Sequence, residues 1–299
     1  MQAALPTFNN YLAQGIFFRS STGTSNYHAL LVTLNKRVSR GLTFTTNYTW
    51  SHSLDQIGAV QNAASLMPNS FNLDAEYGPS GFDFRHIFNA KSVYDLPFRS
   101  SNKYLKRVVE GWYASGIYTA ISGQPLTVTE GNQVWGGTLA LGFSTGVVPT
   151  VDPGSLGAGV HSGVAGSGGI GTTNPSGVNL FADPAAALGS FRPVLLSQDG
   201  RSGRSRPIRG LPHWNLDTSI GKTTAITERV KTIFAADFFN IFNHLDLCDP
   251  GATNGNGGSC GGSLNLTTPK TFGVISSQFI PANRTSGSRW IQFSLRFEF

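Results

Sequence analysis

Apolar and polar residues alternate with a period of two along several stretches of this chain, the repeat of a strand with two different faces. In "LTFTTNYTWSH", which starts at Leu42, one face carries Leu42, Phe44, Tyr48 and Trp50. The other carries Thr43, Thr45, Asn47, Thr49 and Ser51. Just upstream, "HALLVTLNKR" sets Leu30, Val32 and Leu34 against Thr33, Asn35 and Arg37, with Ala29 and Leu31 as exceptions. Ser39-Arg40-Gly41 reads as the tight hairpin turn between them. The same period predicts strands over 84–98, 111–122, 213–222 and 229–243, and a first strand over 11–20. The cleanest covers 288–299, where Ile291, Phe293, Leu295, Phe297 and Phe299 alternate with Gln292, Ser294, Arg296 and Glu298 to the last residue. That makes about eight strands. Only "KYLKRVVEGW" has helical apolar spacing, enough for about two turns.

The connections say how these strands are arranged. From the second strand onward short and long links alternate: a turn at 39–41, a loop over 54–83, a moderate link over 99–110, a Gly/Pro/Ser-rich loop over 123–212, the short turn "TTAITE", and a glycine-rich loop over 244–287. Loops of that length argue against a compact soluble domain. They are expected of an outer-membrane barrel, with short turns on the periplasmic side and long loops outside. The expected fold class is therefore all-β: an antiparallel transmembrane β-barrel segment of about eight strands of a larger barrel, with long extracellular loops. An unbroken alternation to the terminus fits, because a barrel's last strand keeps its lipid-facing side apolar across the hydrocarbon.

Composition agrees. Charged residues make up only 13%, and there are 21 Phe and 36 Gly among 299 residues. The usual charged share is about 25%. The formal net charge is +6, yet Lys and Arg are scattered, so no nucleic-acid partner is expected. The one dense basic stretch, "RSGRSRPIR" (201–209), reads as a solvated loop. No apolar run is long enough for a transmembrane helix, and "MQAALPTFNNYLAQG" lacks the pattern of a signal peptide. Cys248 and Cys260 flank a glycine-rich stretch without zinc spacing. They read either as one disulfide closing that loop, which needs an oxidising compartment, or as two free thiols.

Four stretches taken in order, "YHALLVTLNKRVSRGLTFTTNYTWSHSLD", "FDFRHIFNAKSVYDLPF", "GWYASGIYTAISGQPLTV" and "FAADFFNIFNH…FG…SRWIQFSLRFEF", resemble the C-terminal part of TonB-dependent receptors. The group is the Oar-like, carboxypeptidase-regulatory-domain type of acidobacteria and relatives. The resemblance spans nearly all of the chain except the region near 131–205. It implies a wide barrel of about 22 strands closed by a plug, placed in the outer membrane of a Gram-negative-type bacterium. No plug and no energy-coupling box are recognisable in 1–299, so the resemblance implies a barrel portion. Such a portion would contact the TonB energy-coupling complex only through an N-terminal part not found here. It would import a bulky solute as part of the intact receptor, its first and last strands left unpaired. Ile291, Phe293, Leu295, Phe297 and Phe299 match the terminal signal that the barrel-assembly machinery reads in that family.

No enzymatic chemistry, cofactor or metal site is expected. "GSGGIG" (166–171) matches a dinucleotide fingerprint, but lies between loop-like stretches rather than between a strand and a helix. Ser, His and Asp occur together in "SHSLD" (51–55), yet a catalytic triad is a spatial constellation and not a sequence neighbourhood. His86 falls on the apolar side of its strand. Tyr48, Trp50, Trp112, Trp214 and Trp290 lie near predicted strand ends. They read as aromatic girdles at the two interfaces with outer-membrane lipid, or as the core of a sandwich. The alternatives to a receptor segment are a small self-closing porin or adhesin-like barrel and a secreted β-sandwich binding module.

Overall fold

The computed structural model describes residues 22–56, 74, 77–130, 147–171, 177–193, 208–227, 229–253, 255, 257–282 and 284–299. The strand expected over 11–20 and the basic run up to residue 207 lie outside them. Seven long strands form one antiparallel sheet: β1 (Ser25–Ser39), β2 (Leu42–Asp55), β3 (His86–Asp95), β4 (Trp112–Ile121), β5 (His213–Ala225), β6 (Lys231–Phe239) and β7 (Trp290–Glu298). They lie side by side in chain order, and a two-residue strand, Gly78–Pro79, adds to the loop end of β2. Among the described residues β1 and β7 are each paired on one side only, so the sheet is open at both edges. No described helix is long and apolar enough to cross a membrane, which leaves crossing by strands untouched.

The turn between β1 and β2 is fixed by chemistry. Arg40 and Gly41 both adopt positive φ, 52° and 82°, the requirement of the two-residue hairpin turn whose twist matches its strands. A side chain at Gly41 would meet the Asp95 carbonyl at 2.7 Å. The expected short helix is present as α1 (Lys103–Val109) between β3 and β4, its first N–H groups capped by Asn102. The links β1–β2, β3–β4 and β5–β6 are the short ones, and they fall at one end of the sheet. The long links 56–85, 122–212 and 240–289 fall at the other.

Register turns the alternation into two continuous surfaces. Val32 pairs with Tyr48, Tyr48 with Phe88, Phe88 with Ala120 and Ala120 with Trp214. Further down the same face Thr218 pairs with Phe238 and Phe238 with Ile291, then Ala236 with Phe293 and Phe234 with Leu295. The opposite face runs Thr33, Asn47, Asn89, Thr119 and Asn215. Because side chains alternate strictly, a slip of one residue anywhere would exchange the two surfaces. The apolar face is covered by no second sheet among the described residues: Val32 is 49% exposed and Phe293 68%. A sandwich would have buried it, so the secreted-sandwich alternative fails and the aromatics on this face do not form a sandwich core.

The buried core lies elsewhere, in the long links. Leu126, Val128, Val147, Leu180, Phe181, Phe191, Ile208, Leu211, Leu264, Phe272 and Ile275 pack together, with the Phe181 and Phe272 rings stacked at 5.6 Å. Short pairings hold this cap: Pro125–Leu126 with Ile208–Arg209, Val147–Pro149 with Phe191–Pro193, and His161–Ser162 with Val178–Asn179. The stretch 123–212, expected to be a loop, thus contributes much of a hydrophobic core. Its apolar residues follow no period of two or of 3.6, so they leave no signal in a windowed reading. "GSGGIG" is a packing loop of this cap. Gly169 has φ 125°, and a side chain there would strike the Lys270 carbonyl.

Two measurements test this division. Val32→Arg places a charge on the lipid-facing surface and is expected to cost about 2–4 kcal/mol near the bilayer midplane, while Thr33→Arg on the opposite face is nearly neutral. Folding titrations into lipid vesicles compare the two, and equal costs would refute the facing. Phe272→Ala empties the centre of the cap and is expected to cost about 3–5 kcal/mol of cap stability. Hydrogen exchange should show faster opening of cap amides with strand amides unchanged; unaltered cap exchange would mean that the cap has no cooperative core.

Candidate functional site

The polar face meets the long links in a cleft of about 570 Å³, within the usual size of a ligand pocket. Thr119, His213, Asn215 and Asp217 rise into it from β4 and β5, Phe239 and Trp290 from β6 and β7, and Phe279 and Arg284 from the last long link. Asp217 is its electrostatic centre. The Asn215 amide donates to Asp217 Oδ1 at 2.7 Å, the Asn240 N–H at 2.8 Å, and Arg284 reaches both oxygens at 3.1 and 2.8 Å. Arg284 also lies over the Phe239 ring at 5.2 Å. The Asn240 backbone is left-handed, with φ 52°. That turn ends β6 and lets the Asn240 side chain donate to the His244 and Gly287 carbonyls. At the upper edge the His213 ring stacks on Phe279 at 4.5 Å, and His244 pairs with Asp246 at 3.2 Å. The arrangement offers aromatic walls and a set of oriented donors and acceptors. No cluster of three or more potential metal ligands occurs among the described residues.

A second polar centre fastens the cap to the sheet. Asp83 is fully buried, takes the Ser53 N–H at 2.8 Å, and is paired with His52 and Arg85, each at 3.2 Å, and with Arg209. Burial alone would push its pKa up. The Ser53 N–H, the Arg209 guanidinium and His52 together outweigh that and hold it below the ordinary carboxylate value. Arg209 belongs to the basic run that reads as a solvated loop, and here it is an ion-pair partner instead. "SHSLD" is the end of β2: Ser51 donates to the Phe84 carbonyl and Ser53 bonds Ser80, so its polar groups are structural.

The residues singled out from sequence divide between the surfaces. Tyr48, Trp50, Trp112 and Trp214 lie on the apolar face, with Trp112 alone at the short-link end. His86 is on that face too, with its Nδ1 and the Tyr48 hydroxyl 2.8 Å apart. Trp290 corrects the expectation of a girdle residue. It pairs with Phe239 on the polar face and lines the cleft, because the apolar register of β7 falls on odd numbers. Ile291, Phe293, Leu295 and Phe297 share the apolar face of β7, and Phe299 follows the strand, exposed. Cys248 and Cys260 are joined as a disulfide with Cα atoms 5.5 Å apart. Sequence patterns did not single out Asp83, Asp217, Asp249 or Arg284, since each gains its role from a partner far along the chain.

Asp249 gives the cap a pH dependence. It accepts the Leu211 N–H at 2.7 Å, but burial dominates and pushes its carboxyl up to about 6. The folded cap therefore holds this proton more tightly than the open chain. That contribution is fully present below the ordinary carboxylate value and is lost as pH rises through about 6, roughly 3 kcal/mol across the window. Hydrogen exchange of cap amides between pH 4 and pH 7 is expected to quicken beyond the intrinsic trend in the wild type and to follow the intrinsic trend in Asp249→Asn. Equal profiles would dismiss Asp249 as the cause.

Neither curated proteins nor solved structures provide a match to the chain. A family model described as "Outer membrane beta barrel domain" matches residues 2–292, a range that includes all of the first six strands. An exposed apolar surface backed by a polar one, with short links at one end and long links at the other, is what such a domain requires. The chain belongs to the outer membrane beta barrel domain family.

Proposed function

We propose that this domain forms part of the wall of a TonB-dependent, Oar-like transporter in the outer membrane of a Gram-negative-type bacterium, and that it catalyses no reaction. The observation that supports this reading best is the strand order: seven neighbours in sequence order, with β1 and β7 each paired on one side among the described residues. An arc cut from a wide barrel is expected to have this order, and its curvature would not suit a small barrel, because strand number, tilt and shear are coupled. In this reading the plug and the coupling segment belong to a longer polypeptide, and the energy-coupling complex is reached through them. The cleft around Asp217 and Arg284 belongs to the solute's route, and its aromatic and hydrogen-bonding walls suit a bulky polar solute. Ile291, Phe293, Leu295, Phe297 and Phe299 serve as the signal to the barrel-assembly machinery.

The test is refolding of residues 1–299 in detergent and lipid, followed by single-channel recording and gel mobility with and without heating. An arc leaves two unpaired edges, and each unsatisfied backbone group in hydrocarbon costs several kcal/mol. The expected outcome is no discrete conductance and no compact heat-modifiable band. Reproducible unitary conductance with such a band would replace this reading with a small self-closing porin.

A further inference from the structure

Helix α1 has two unlike sides. At 100° per residue, Tyr104, Leu105 and Val108 share one arc, and Lys106 and Arg107 share the opposite one. The apolar arc is not packed: Tyr104 is 81% exposed, Leu105 53% and Val108 63%. A helix of this length is marginal by itself, so its position depends on what holds its ends. Asn102 caps the start. At the far end the Trp112 indole N–H donates to the Val108 carbonyl at 2.9 Å. The Lys222 ammonium donates to the Val108 and Glu110 carbonyls at 2.8 and 2.6 Å, and lies over the Trp112 ring at 5.0 Å. Trp112 and Lys222 face each other across β4 and β5 on the apolar surface of the sheet. The helix is therefore tied to the lipid-facing side of the strands, at the end with short links.

Beside it lies a second cleft, of about 810 Å³, between the β1–β2 turn and the β3–β4 link. Arg40 and Arg99 line it together with Tyr94, Phe98 and Trp112. The carboxylates there are Asp95 and Glu110. Glu110 is already engaged by the Ser100 N–H at 3.2 Å and by Lys106 at 4.0 Å. Across helix and cleft, among the described side chains, the cations Arg40, Arg99, Lys106, Arg107 and Lys222 stand against the carboxylates Asp95 and Glu110.

We propose that α1 and this cleft form a docking site for anionic phospholipid headgroups, with the helix lying in the plane of the interface on the short-link side. Two observations select lipid as the occupant. The helix that carries the exposed apolar arc is anchored on the lipid-facing surface of the sheet through Trp112 and Lys222, and the surrounding charge is the complement of a phosphodiester. An amphipathic helix with aromatic and aliphatic residues on one side and basic residues on the other binds an interface in this orientation. The aromatic rings of Tyr94, Phe98 and Trp112 suit the same depth.

The experiment is flotation of the refolded 1–299 chain with two kinds of vesicle: phosphatidylcholine alone, and phosphatidylcholine with a third of the lipid replaced by phosphatidylglycerol. The ratio of the two affinities is read. The wild type is expected to prefer the anionic vesicles, and Lys106→Gln/Arg107→Gln is expected to lower that preference by roughly fivefold per charge removed. The control Lys270→Gln/Arg289→Gln removes the same charge at the long-link end and is expected to keep the wild-type ratio. A general folding defect lowers both affinities and leaves the ratio where it was, which counts against the proposal. A ratio unchanged in the helix variant, or lowered equally in the control, overturns it.

Discussion

Every backbone N–H and C=O that enters hydrocarbon must be paired within the protein, and the rest of this structure follows from that constraint. It makes the antiparallel ladder the element that spans, and it keeps strands contiguous from one link to the next. It also frees the side chains from core packing: one face meets lipid, the other water, and neither has to fit a partner sheet. Among the described residues the hydrophobic core therefore sits beyond the strand ends, where the long links fold on one another around Phe181 and Phe272.

The wall and the cap differ in how their polar groups are satisfied. On the wall the polar face is a repeating surface of Thr and Asn side chains, such as Thr33 donating to Asn47 at 3.0 Å. In the cap and at its seams, single carboxylates collect several donors each. Asp83 gathers the end of β2, the approach to β3 and the strip at Arg209. Asp217 gathers β5, the turn after β6 and Arg284. A buried charge such as Asp83 that loses one partner is costly, and the half-buried Asp217 joins its segments through several hydrogen bonds at once, so each of these points fixes the mutual position of segments that share little sequence neighbourhood.

This difference explains what could be read in advance. Val32 and Thr33, or Phe293 and Ser294, announce their surfaces because a period of two is visible within ten residues. The link lengths and α1 are legible for the same reason: local chemistry decides them. Trp290 stands near a strand end, the place expected of a girdle residue, but its parity against Ile291 puts it on the other face. Arg209 reads as solvated because the stretch around it is Gly, Pro and Ser, whereas its partner Asp83 lies 126 residues away. The cleft around Asp217 and the core around Phe272 are likewise products of long-range contact, which no window of sequence contains.

The two kinds of construction also differ in how they bear force. In the wall, sliding β4 against β5 along their length would have to break many ladder bonds at once. The cap instead hangs on pairings two or three residues long, such as His161–Ser162 with Val178–Asn179, which open one after another. A pull on the outer loops would peel the cap apart at low load and leave the wall intact. The protein is a stiff frame carrying a compliant lid, joined through a few buried charges.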